Sequence, residues 1–124
     1  MDSESERRRD ARATARLPVE LAGDGDGTLS VSSLNIGAGG VYVEVPRYIE
    51  PLTKLSLSMM IPGPTPAEES SLVETEAIVV RVLPERPDAS VDRYEVACAF
   101  LDLTDENRDI VNRYILTHRA HITS

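Results

Sequence analysis

The sequence predicts a β-rich fold: six antiparallel strands in a barrel or sandwich, followed by one C-terminal helix. Three observations predict it. Apolar residues alternate with polar ones in several short runs, most clearly where Leu55, Leu57, Met59 and Ile61 share one face of Lys54 to Ile61. Clusters of Gly, Pro, Asp and Ser separate these runs, as turns between strands require. Only after Thr104 does the apolar period become helical, with Ile110, Val111, Tyr114 and Ile115 recurring on one side.

In chain order, residues 1–16 contain almost nothing apolar and read as a flexible, arginine-rich arm. Leu17 to Leu21 is a first short strand, tolerating Pro18 near its start. Gly23 to Gly27, GDGDG, is a turn; Asp24 and Asp26 lack the further ligands of a calcium loop. Thr28 to Ile36 is a second strand with imperfect alternation. Val41 to Val45 is a third, with Val41, Val43 and Val45 on one face and Pro46 as its stop. Lys54 to Ile61 is the fourth. Pro62 to Ser71, with three prolines, is an exposed loop.

Leu72 to Leu83 is a long fifth strand whose Ile78, Val79, Val80 and Val82 form a nearly continuous apolar run. Tyr94 to Leu101 is the sixth, apolar on both faces after Glu95 and therefore well covered. Thr104 is a suitable N-cap, with Asp105 and Glu106 placed favourably in the first turn of a helix spanning about 104–119. One domain, 17–124, thus follows the arm 1–16.

Composition narrows the function. A net charge of −8 over 124 residues argues against general binding to DNA or RNA, where affinity comes largely from phosphate neutralisation. No apolar stretch is long enough to span a bilayer and no leader precedes Leu17, so a cytoplasmic protein without membrane insertion is expected. The single cysteine, Cys98, agrees and reads as a small core residue. His118 and His121 have no evident third ligand, no serine sits in a nucleophile elbow, and the glycine cluster lacks the lysine of a phosphate-binding loop. Neither an enzyme nor a metal site is expected.

Two features remain. The stretch Leu34 to Val45, LNIGAGGVYVEV, carries Gly37, Gly39 and Gly40 in a turn, which suits either a backbone with φ above zero or a close approach by a ligand. Residues 1–16 hold five arginines and four acidic residues, reversing the charge sign of the whole chain. Arginine offers a planar fork of donors that fits phosphate oxygens or the O6/N7 edge of guanine. Arg8 and Arg12 are spaced as RxxxR, and Asn35 to Gly40, NIGAGG, is close to (D/N)xSxxG.

That pair of motifs, in that order, resembles the PilZ domain, a bacterial receptor module for cyclic di-GMP. The likeness runs through nearly the whole chain: LPVEL, VYVEVPRYIEPLTKLSLSMMIP, EAIVVRVLPE and YEVACAFLDLTDENRDIVNRYIL look like successive strands of the family and its closing helix. The resemblance implies a six-stranded antiparallel split barrel with a C-terminal helix. It also implies a ligand site in which Arg8 and Arg12, with Arg9 as accessory, grip the dinucleotide. Asn35 would then hydrogen-bond a guanine, Gly37 would occupy the motif serine position and Gly40 would keep the turn open.

The implied role is a non-catalytic receptor. Ligand would order the arm over the barrel and change a surface for an effector protein, in motility or exopolysaccharide control. Monomer and dimer stay equally open. Gly37 departs from the motif serine and removes one hydroxyl, worth about 0.5–1.5 kcal/mol, or roughly two- to tenfold in affinity. That departure supports the alternative of a protein-interaction module that has lost nucleotide binding.

Overall fold

The computed structural model describes residues 12–14, 16–23, 27–65 and 67–123, with the backbone alone described at 12–13 and 119–123. Its strands are β1 (Arg12–Ala13), β2 (Pro18–Ala22), β3 (Thr28–Gly37), β4 (Gly40–Val45), β5 (Lys54–Ile61), β6 (Ser71–Leu83) and β7 (Tyr94–Leu101), followed by helix α1 (Asp105–Thr123). Six strands, β2 to β7, pair antiparallel in the order β3-β2-β5-β6-β7-β4, and a β3–β4 pairing closes the ring. The expected barrel is therefore present, and closure leaves it no free sheet edge. β1 is an addition that the sequence reading assigned to the arm.

Alternation builds the interior. Val19 and Leu21 of β2, Val41, Val43 and Val45 of β4, and Leu55, Leu57, Met59 and Ile61 of β5 are all buried. Each contributes about 1.5–3 kcal/mol by leaving water. β6 supplies Val73, Ala77, Val79 and Val82, and β7 supplies Tyr94, Val96 and Cys98. The apolar run at Ile78–Val82 does not face inward throughout: Val80 is exposed, and the β6–β7 register shifts between Val79 and Arg81.

The helix begins as expected. Asn107 N–H donates to Thr104 Oγ1 at 3.1 Å, and Arg108 N–H donates to the Thr104 carbonyl at 2.8 Å. Val111 and Ile115 are buried, with Ile110 and Tyr114 half-buried beside them. The helix runs to Thr123, four residues past the expected end at 119. It lies against β1, β3, β5 and β6. No described helix is long and apolar enough to cross a membrane.

Candidate functional site

The two motifs meet across β1 and β3. Arg12 is the Cα partner of Gly37, and Ala13 is the partner of Ile36. β2 uses the same edge of β3 further along, from Pro18 opposite Ser32 to Ala22 opposite Thr28. Between the two pairings the chain has four residues, 14–17, against three, 33–35, on β3, so it carries one extra residue as it passes from β1 into β2. Leu17 and Ser33 pin this junction through two hydrogen bonds, and Ser33 is fully buried. Arg12 is thereby fixed, in backbone, beside the glycine-rich hairpin. Arg8 and Arg9 lie outside the described residues.

The hairpin differs from the expected turn. Gly37 ends β3 and Gly40 begins β4, leaving Ala38 and Gly39 as the two-residue loop. Neither Gly39 nor Gly40 has a left-handed backbone; among the described glycines only Gly27 does, with φ 63°. What requires glycine at position 40 is proximity. A Cβ there would overlap the Cys98 carbonyl oxygen and come within 3.2 Å of Ala99 Cα. Gly40 is buried and lets β4 seat against the backbone of β7. The close approach foreseen at this glycine is thus met by the protein's own chain.

Asn35 owes its orientation to a bulge. The β3–β4 register shifts between Ser33 and Asn35, so Leu34 is an extra residue. Ser33 and Ile36 are both buried completely. Strict alternation from Ser33 would have turned Asn35 inward; the bulge turns it outward instead, half-buried and directly beside its Cα partner Tyr42.

The electrostatics of this outer face centre on Glu44. Its Oε1 receives Arg93 at 3.0 Å and Arg16 at 3.4 Å, at the rim of a shallow cleft also lined by Ser30, Ser32 and Asp92. Arg16, which overlaps the arginine motif in a second RxxxR register, is therefore engaged with a carboxylate. Sequence reasoning did not single out Ser33, Tyr42 or Glu44. Their only local signal is the broken alternation around Leu34, because Ser33 and Glu44 bond to residues distant in sequence and Tyr42 meets Asn35 only through the bulged hairpin register.

The remaining candidates behave as core or surface. Burial pushes the Cys98 thiol up to about 12. His118 stacks on Tyr114 with ring centroids 5.1 Å apart, and the side chain of His121 lies outside those described. Among the described residues no three potential metal ligands cluster together.

Comparison with known proteins bears on the family and the fold. The PilZ domain profile matches residues 6–117. Among solved structures, the inhibitor of motility MotI (DgrA) of Bacillus subtilis superposes with a TM-score of 0.74 at 22% identity, over 95% of this chain and 53% of MotI. The PilZ domain of Escherichia coli YcgR, solved with c-di-GMP, gives 0.69 at 11% identity, over 94% of both chains. MrkH of K. pneumonia, solved as a c-di-GMP complex, gives 0.70 at 14% identity, over 94% of this chain and 53% of MrkH. The chain thus spans about half the length of MotI and MrkH. A comparison with curated protein sequences finds no match. With the profile covering most of its length and the barrel closed as in these structures, the chain belongs to the PilZ domain family.

Proposed function

We propose that this chain is a non-catalytic, cytoplasmic receptor for cyclic di-GMP that passes the signal to an effector protein. The observation that carries the reading is the register of β1 on β3, with Arg12 opposite Gly37 and two positions from Asn35. Arg8, Arg9 and Arg12 take the phosphates and a guanine edge, and Asn35 takes a guanine from the barrel side. Gly37 stands at the motif serine position, and Gly40 holds the hairpin against β7. Because Arg12 and Ala13 are already paired, the rearrangement on binding is assigned to residues before Arg12. That reshaped surface engages the effector.

The net charge of −8 favours a protein partner over DNA or RNA. The similar structures do not share one kind of output: MotI is described as an inhibitor of motility, whereas MrkH is described as a c-di-GMP-dependent transcription regulatory factor. Calorimetric titration with cyclic di-GMP tests the reading. Saturable binding by the wild type that disappears in an Arg8→Ala, Arg12→Ala double variant is the expected result. Absence of binding by the wild type, or binding unchanged in the double variant, overturns the receptor or its site.

One observation favours a second reading. Gly37 lacks the hydroxyl of the motif serine, which suits an interaction module that works through protein contacts alone. Partner capture unaffected by the nucleotide, together with silent calorimetry, would establish it.

A further inference from the structure

A second bulge lies on the same transverse row of the barrel as the first. The β6–β7 register shifts between Val79 and Arg81, leaving Val80 as the extra residue. Val79 and Val82 are buried, at 0% and 2% exposure. Strict alternation from Val79 would have sent Arg81 into the core. The bulge turns it outward, opposite Ala97. Ala97 is in turn the partner of Tyr42, and Tyr42 is the partner of Asn35.

Asn35, Tyr42, Ala97 and Arg81 therefore form one outward row across β3, β4, β7 and β6. A bulge at each end turns out a polar side chain. Bulges recur beside functional sites because they re-aim one side chain without disturbing the rest of the sheet. Two on one row, each rescuing a polar residue from burial, mark out a surface with two polar ends.

The middle of that surface suits a flat ligand. Ala97, small and only 5% exposed, separates Tyr42 from Arg81, and Gly40, Ala99 and Ile78 form the neighbouring row, so among the described residues of these two rows no long side chain lies between Tyr42 and Arg81. Tyr42 is a half-buried aromatic ring on the outer face, the kind of group on which bases stack. Strands lie about 4.8 Å apart, which sets Arg81 roughly 10 Å from Tyr42. Arg81 is exposed, and among the described residues its guanidinium has no hydrogen-bond or ion-pair partner. It is a free fork of donors aimed outward from a bulge.

We propose that Tyr42 and Arg81 extend the nucleotide site to the second guanine of the ligand. Tyr42 stacks on that base, and the Arg81 guanidinium reads its O6/N7 edge. The inference rests on the receptor reading and adds a determinant of base specificity that lies outside both sequence motifs.

The test is calorimetric titration of wild type, Arg81→Ala and Arg81→Lys with two probes, cyclic di-GMP and the mixed cyclic GMP–AMP. In the mixed dinucleotide one guanine is replaced by adenine, whose amino group opposes an arginine at that edge. Wild type is expected to prefer cyclic di-GMP by about tenfold or more, the discrimination a bidentate arginine provides. Arg81→Ala should bind cyclic di-GMP about tenfold more weakly and lose the preference. Arg81→Lys should lose it too, since lysine cannot make the bidentate contact.

Both variants change an exposed, unpaired side chain, so their melting curves should match wild type. If wild type binds neither probe, the receptor reading falls and this inference with it. If wild type binds cyclic di-GMP but Arg81→Ala retains both affinity and preference, the extension to Arg81 alone is overturned. Full preference in Arg81→Lys would likewise overturn the edge contact.

Discussion

Leu17 and Ser33 exchange two hydrogen bonds at the root of the arginine segment. Leu17 N–H donates to Ser33 Oγ at 2.8 Å, and Ser33 N–H donates to the Leu17 carbonyl at 2.9 Å. Ser33 is the one buried polar side chain among the described residues, and Leu17 is nearly as buried. Ser33→Ala would strand the Leu17 N–H in an apolar setting. The expected loss of stability is about 1–3 kcal/mol, the cost of an unsatisfied buried donor, read by urea unfolding. A change below about 0.5 kcal/mol would show that the junction does not depend on this hydroxyl.

Gly39 and Gly40 are neighbours in sequence with opposite expected tolerance. A Cβ at Gly39 would meet nothing within 4 Å, whereas one at Gly40 would strike the Cys98 carbonyl. Neither backbone is left-handed, so the difference is one of space rather than of allowed φ. Gly39→Ala should leave the thermal midpoint nearly unchanged. Gly40→Ala should destabilise by at least about 1–3 kcal/mol, because β4 must lift from β7. Equal melting temperatures for the two variants would refute this account of the hairpin.

These contrasts locate what was legible in the sequence. Alternation in Lys54–Ile61 and Val41–Val45 revealed strands and their inward faces, because each signal lies within one segment. The Thr104 cap and the Val111/Ile115 stripe revealed the helix for the same reason. Motif spacing singled out Arg12 and Asn35, and the β1–β3 register brings the two positions close together. β1 was missed because two residues carry no period, and its pairing is set by distant β3. The bulges at Leu34 and Val80 appear in sequence only as interrupted alternation, which does not say which residue is extra. Gly40 is required by the Cys98 backbone, 58 residues away in sequence, which no local pattern encodes.

Burial raises the Cys98 thiol from its ordinary value near 9.0 to about 12. The folded protein keeps this proton over a range in which the unfolded chain releases it. Below about pH 9 both states hold the proton and the group has no effect. Above that pH, stability falls by roughly 1.4 kcal/mol per unit until the folded thiol itself ionises. The stability difference between wild type and Cys98→Ala should therefore shrink by about 1.4 kcal/mol between pH 8 and pH 10, measured by urea unfolding at each pH. A constant difference would mean that the thiol titrates alike in both states.

Glu44 holds two guanidiniums on the face proposed to receive an anionic ligand. Arg16 and Arg93 are mostly exposed, with side-chain accessibilities of 63% and 71%, so these pairs add little to stability. Their consequence is electrostatic: the carboxylate neutralises positive charge beside the ligand surface. Glu44→Gln should change unfolding free energy by less than about 0.5 kcal/mol. It should strengthen cyclic di-GMP binding by up to about fivefold at low salt, a gain that fades as salt screens exposed charges. Weaker binding in the variant would mean instead that Glu44 positions Arg16 or Arg93 for the ligand.

Gly37 occupies the place of the motif serine, and its setting determines what a serine would do there. It is the last residue of β3, paired with Arg12, and its backbone is not in the left-handed region. A serine therefore meets no conformational penalty. Gly37→Ser adds a hydroxyl beside Arg12 and two positions from Asn35. If that hydroxyl bonds the ligand, affinity for cyclic di-GMP should rise about two- to tenfold, the value of one net hydrogen bond. Position 37 is also buried, so the added side chain must share space with whatever approaches this strand end. A fall in affinity, with thermal stability unchanged, would show that glycine is required for close approach of the nucleotide and that the departure from the motif is not a weakening.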